Sequence, residues 1–369
     1  MKKLSMALLC LILLPCTLGA QTVLPKDTLH IGGAFRYTYM KNSWDESHKK
    51  TGGKTIFDVL ILNAKGQVKG IDFAIETRYY AESFGGFMLR NGYVGLPLTN
   101  KLKLKLGMPR TPFGILPFTS NSFMFNVQYY LGFEDDADLG FLLEYGQDSW
   151  EAQFSFAKNS EDVFSQKNNR YAYDLSGDNQ ELNQWTGRLV HHLGDNDECE
   201  FGLSGQYGGV YNTVTSDLGH KWALALHGIW KKNNWDLKTE ILSYEFSAKD
   251  SIKRNYIDMG AFAADYQVAS KGLSYSVALG YQIKVNHLLL NDIKFYNDFS
   301  ALEKSSSNFH ASYMNVTGCM IHTGPIYMLV DYVFAKNHAW IGNNYNQAFS
   351  EGGDQDWNQR FNINMGIYF

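Results

Sequence analysis

Along most of this chain, large apolar residues occupy every second position. In Phe361-Asn362-Ile363-Asn364-Met365-Gly366-Ile367-Tyr368-Phe369 the odd positions are apolar, while Asn362, Asn364 and Gly366 take the other face. Successive side chains of a strand point to opposite faces, so such a segment has one greasy side and one polar side. The period recurs near the start, where Leu29, Ile31, Phe35, Tyr37 and Tyr39 alternate with His30, Gly32, Arg36 and Thr38. It returns where Ile71, Phe73, Ile75 and Tyr79 face Asp72, Glu76 and Arg78, and where Leu102, Leu104 and Leu106 face Lys101, Lys103 and Lys105. Segments 150–156, 201–207 and 273–283 repeat it.

A soluble β-sandwich alternates as well, so the solvent must be settled by other features. The connections alternate in length: 65–70, 146–149, 194–197 and 231–234 are tight, whereas 41–53, 158–181 and 337–356 are long and polar. Short turns opposite long loops are the layout of a membrane barrel. Aromatics collect at strand ends, as at Tyr79, Tyr80, Tyr129, Tyr130, Trp150, Trp230, Trp235 and Phe369, where amphipathic rings suit a membrane–water boundary. A bilayer admits β-structure only as a closed sheet, because an open edge leaves backbone groups unpaired. The pattern therefore predicts an all-β fold, a transmembrane antiparallel up-and-down β-barrel of sixteen strands. Segment 292–300 is the doubtful crossing, and eighteen strands would need a further one around 170–175.

Composition places that barrel. Lys2 and Lys3, an apolar run over 4–14 and the small pair Gly19 and Ala20 read as a signal peptide over residues 1–20. A lipoprotein cut before Cys16 is the alternative, with Pro15 standing where a small residue is needed. Residues 21–369 then form one outer-membrane barrel domain. No later run reaches the ~18 apolar residues of a transmembrane helix. The net charge of −4 gives no basic excess, so nucleic acid is not an expected partner. Cys199 and Cys319 are too few and too distant for a disulfide scaffold.

The inward face should carry the function. Lys101, Lys103 and Lys105 stand about 6.8 Å apart on one side of a strand. Their leucine partners need the lipid, which turns the cations, like Arg36 and Arg78, toward the bore. A row of that kind attracts anions. The following stretch, 108–138, opens with Pro109, Arg110, Pro112 and Pro117 and closes on Glu134, Asp135, Asp136 and Asp138. Prolines resist strand pairing and a loop this long is usually functional. The expectation is a constriction loop folded into the barrel, its acidic groups set against the lysines. A solvated acidic loop, or calcium held by hard carboxylate oxygens, remains open.

Leu106-Gly107-Met108-Pro109-Arg110-Thr111-Pro112-Phe113-Gly114, with Arg90-Asn91-Gly92-Tyr93-Val94-Gly95-Leu96 before it, resembles the strand-end signature of the phosphate-selective porin O and P family. The likeness covers about residues 87–145. It implies a sixteen-stranded homotrimeric porin passing small hydrophilic solutes, with Phe369 as the signal for the outer-membrane assembly machinery. The acidic cluster departs from a purely basic constriction, so phosphate specificity is not carried over.

Enzymatic signatures are missing from the sequence. There is no His-Glu-x-x-His, no Gly-x-Ser-x-Gly and no phosphate-loop lysine, and adjacent His191 and His192 point to opposite faces of a strand. No cofactor is expected. The reading is a water-filled channel among outer-membrane lipids, anion-preferring, with two alternatives: a closed-lumen barrel that binds a ligand or adhesive partner through its loops, and a barrel hydrolase.

Overall fold

The computed structural model describes residues 27–160, 169–194, 198–252, 254–287, 290–353 and 356–369. The expected signal segment 1–20 lies outside them. Among the described residues sixteen antiparallel strands close into one barrel, each beside its neighbour in the chain. The first strand (Thr28–Asn42) meets the last (Asn358–Tyr368) in a register running from Ala34↔Tyr368 to Asn42↔Arg360. Phe369 extends the seam, because its N–H donates to the Gly33 carbonyl at 3.0 Å and Gly33 returns the bond at 2.8 Å. A Cβ on Gly33 would sit 2.8 Å from the Phe369 ring and 2.4 Å from the Ile61 carbonyl, so only glycine lets the three strands approach here.

The alternation decides which way each strand faces. In the Lys271–His287 strand, Leu273, Val277, Leu279 and Ile283 are exposed on the outside, whereas Ser274, Ser276 and Ala278 are buried within. Outward apolar residues continue around the wall, with Tyr79, Trp150, Trp230, Trp235 and Phe369 among them. An apolar surface of this extent has its stable solvent in hydrocarbon.

One end carries tight turns. Lys69 and Gly70 both have positive φ, at 49° and 82°, the geometry whose twist matches a two-residue hairpin. Asp148, Asn233 and Gly324 serve other turns at that end with positive φ as well. The opposite end carries the long connections. One holds a short helix (Glu46–Thr51) whose N-cap Asp45 accepts from the backbone N–H of Ser47 and His48.

The expected count of sixteen holds, and the doubt over segment 292–300 is resolved. Segment 292–300 lies within a full barrel strand, Leu290–Lys304, paired on both sides. The 170–175 region adds no crossing: Asp174–Leu175 joins Tyr256–Ala261 and Ala264–Ala269 in a separate three-stranded sheet among the long connections. The count is therefore sixteen, not eighteen. Tyr80, Tyr129 and Tyr130, expected at the membrane boundary, are instead buried inside.

Candidate functional site

The connection over residues 109–138 turns inward and lies against the inner wall. Its two ends are pinned together by a bridge between Arg110 and Ala137 and by the Thr111 N–H donating to the Asp136 carbonyl at 2.9 Å. Phe113, Ile115, Met124, Leu131 and Phe133 are buried, and Phe133 packs against Tyr244 with ring centroids 5.4 Å apart. A single helical turn (Val127–Tyr130) is capped by Asn126, whose side chain accepts from the Tyr129 N–H. The hydrophobic effect thus draws the loop in, and its backbone polar groups must then find partners.

They find them on the wall. Glu240 accepts from the Ile115 N–H at 2.7 Å, and Asp298 from those of Asn121 and Ser122 at 2.7 Å each. Asp331 accepts from Phe123 at 3.2 Å. Ser204 and Ser300 take the N–H of Gly114 and Val127, and Arg188 Nε donates to the Gly114 carbonyl at 2.7 Å. Each of these bonds spares a buried backbone group from going unpaired, and those to ionised side chains are the stronger ones.

The facing wall is basic. Arg36 pairs with Asp58 at 2.7 Å, and Arg78 pairs with Glu76 at 2.7 Å. Arg90 contacts both Glu76 and Asp135, and Arg110 reaches Asp135 at 2.8 Å. These four arginines sit beside three carboxylates, leaving one net positive charge. Tyr171 covers the group: its hydroxyl donates to Asp135 at 2.7 Å and its ring lies 4.4 Å from the Arg78 guanidinium. The Arg36 guanidinium lies 5.6 Å from the Phe123 ring, a second contact between the loop and this wall beside the Arg90–Asp135 pair.

The other expected residues fall elsewhere. Lys103 is bound to Asp72, and Lys105 is 2.8 Å from Glu144; both sit on the strand nearest the tight turns, and Lys101 lies beyond its end. The acidic run does not meet these lysines. Glu134 accepts from Asn126 and Thr119, Asp135 serves the arginines, and Asp136 and Asp138 turn toward Asp174. His191 stacks outside on Trp150, while His192 lies inside, 3.3 Å from Glu151. Arg90, Arg188 and the wall carboxylates were not singled out by sequence, where each is simply a polar position of an alternating strand.

Over the long-loop end the connections bury one continuous set of rings. Phe84 stacks on Phe262 at 4.9 Å, and Tyr171 meets Phe262 at 5.6 Å. Tyr173 meets Tyr266 at 5.6 Å, and Tyr130 meets His338 at 4.7 Å. Burial pushes the His338 imidazole down to about 3, so this ring is neutral at ordinary pH.

No protein-family model matches the sequence, and no curated protein matches it. Solved structures do match the fold. OmpT of Vibrio cholerae, an outer-membrane protein, superposes with a TM-score of 0.61 at 12% identity over 94% of this chain and 100% of that one. The anion-selective porin from Comamonas acidovorans gives 0.59 at 11% identity over 93% and 100%. The outer-membrane channel DcaP of Acinetobacter baumannii gives 0.58 at 12% over 93% and 98%. At these identities the likeness is one of architecture: the chain has the fold of the outer-membrane porins, and nothing in it singles out the phosphate-selective family.

Proposed function

We propose that this chain is an outer-membrane channel through which small hydrophilic solutes diffuse passively, with a preference for anions. One observation carries the reading: a closed barrel with a lipid-facing wall holds a charged interior narrowed by a loop that is bonded into it. In this reading Arg36, Arg78 and Arg110 form the row that an anion passes, with Arg90 fixed behind them by Asp135. Lys103 and Lys105 mark the turn-side entrance, and Lys101 its rim. Asp135 binds Arg90 and Arg110 together, so the acidic run anchors one end of the basic row instead of cancelling it. Export through segment 1–20, assembly read at Phe369 and a homotrimer belong to the same reading; one of the similar OmpT structures is described as a trimer form.

The roof of buried rings supports a second reading, a closed-lumen barrel that binds partners through its loops. Planar lipid bilayers separate the two. Stepwise currents are expected, with a reversal potential in a salt gradient that favours the anion. Replacing Arg36 and Arg78 together by glutamine should move that potential toward the cation. A correctly folded protein that stays silent leaves the second reading, and an unmoved potential removes the arginine row from selectivity.

A further inference from the structure

We propose that the lipid-facing wall carries a contact for a second copy of this chain, centred on Asn297, Asn315 and Thr317. They lie on the neighbouring strands Leu290–Lys304 and Ser312–Thr323. Tyr296, Asp298, Met314 and Val316 alternate with them and are buried inside, so Asn297, Asn315 and Thr317 face outward. Asn297 stands midway along its strand, in register with the outward Leu279 on one side and with Thr317 on the other. In a lone barrel these side chains meet hydrocarbon, which offers a polar group no partner.

The patch is bonded within itself, but incompletely. Asn297 Nδ2 donates to Asn315 Oδ1 at 3.1 Å and to Thr317 Oγ1 at 2.7 Å, and Asn315 Nδ2 donates back to Asn297 Oδ1 at 3.1 Å. An amide has two N–H hydrogens and two lone pairs on its oxygen, and a hydroxyl has a hydrogen of its own. Among the described residues, one N–H of Asn315 and the hydroxyl hydrogen of Thr317 are left without an acceptor, and each amide oxygen keeps a lone pair. Two donors thus stand beside two acceptors on one surface. Such a patch complements itself when a two-fold axis sets it against its own copy, as in an isologous dimer. Its outward neighbours Leu279, Phe295, Tyr332 and Phe334 are exposed and uncharged, so nothing repels the approach and large rings close around the polar centre. Hydrogen bonds between side chains of spanning elements are one of the forces that hold proteins together within a bilayer. This contact is separate from the homotrimer of the channel reading, because three-fold assembly joins two different faces of each barrel.

The test is sedimentation equilibrium of the folded full-length protein in density-matched detergent micelles over a range of protein concentrations. A concentration-dependent doubling of mass is expected, of the single barrel or of its trimer. Asn297→Leu with Asn315→Leu should raise the dissociation constant about tenfold, the scale of one or two hydrogen bonds across a contact within a membrane. Should that variant fail to fold, shown by loss of heat-shifted migration in detergent gels, Thr317→Val takes its place. It removes one donor, keeps the side-chain shape and should weaken association severalfold. A parent protein that stays a monomer, or a trimer, at every concentration overturns the proposal. A doubling that the folded double variant leaves unchanged, or Thr317→Val when that stands in for it, places the contact elsewhere and overturns it equally.

Discussion

Inside the barrel, Glu134 accepts through one oxygen from the Thr119 N–H at 3.2 Å and the Asn126 amide at 2.8 Å, while its Oε2 meets no donor. Burial pushes this carboxyl up to about 7, against about 4.3 for a free glutamate. The folded protein therefore holds the proton more tightly than the unfolded chain. The stability it contributes is complete below about pH 4 and is lost as the pH rises through about 7. Glu134→Gln keeps an acceptor for both donors and cannot ionise. Its gain over the parent should be near zero at pH 4 and about 3–4 kcal/mol at pH 8, an order-of-magnitude figure from the shift. Denaturant unfolding in detergent at the two pH values reads it, and a gain independent of pH refutes the assignment. The acidic run itself was legible from sequence; its partners were not. Asp135 meets Arg90 and Arg110, which lie 45 and 25 positions before it, and only folding brings the three together.

At the scale of the element, the folded-in loop is a segment with little regular structure of its own, held by side chains from distant strands. Asp298 alone accepts three bonds from it: the N–H groups of Asn121 and Ser122 and the Asn121 amide at 3.0 Å. Asp298→Ala leaves those amides buried and unpaired, at a cost of about 2–4 kcal/mol to docking of the loop. Limited proteolysis should then cut near Asn121, and single-channel traces should become larger or noisier; Asp298→Asn, which keeps an acceptor, should fall between. A protease-resistant, quiet Asp298→Ala channel would show that burial of Phe113, Ile115 and Phe133 holds the loop without help. Three prolines near its start announced that this stretch could not be strand, and its length announced a role. Nothing announced its anchors. Glu240, Asp298 and Asp331 each occupy an inward position of an alternating strand, as dozens of other polar residues do, and the signal that distinguishes them is a contact across more than a hundred positions.

The whole molecule was the most legible level, because one physical rule repeats in every strand. An apolar side chain at every second position, with turns too short to do anything but reverse the chain, leaves few architectures besides a closed wall between lipid and water. The rule misleads where its premise changes. Tyr256–Ala261 and Ala264–Ala269 are also extended, but Ile257, Met259, Tyr266 and Val268 are covered by other loops and not by lipid. Periodicity marks a buried face without saying what buries it, so the small sheet and its roof of rings stay hidden in the sequence. What the outer wall meets can be measured by depth. Leu279 lies outward and midway along the Lys271–His287 strand, whereas Leu193 ends the Asn179–Leu193 strand at the tight-turn rim. An arginine at the middle of a bilayer costs about 2–4 kcal/mol, and one near its edge about 0–1. Leu279→Arg should therefore lower folding stability in lipid vesicles several times more than Leu193→Arg, by urea titration. Equal costs would mean that position along the strand is not position in a membrane, and a wall indifferent to depth has no hydrocarbon against it.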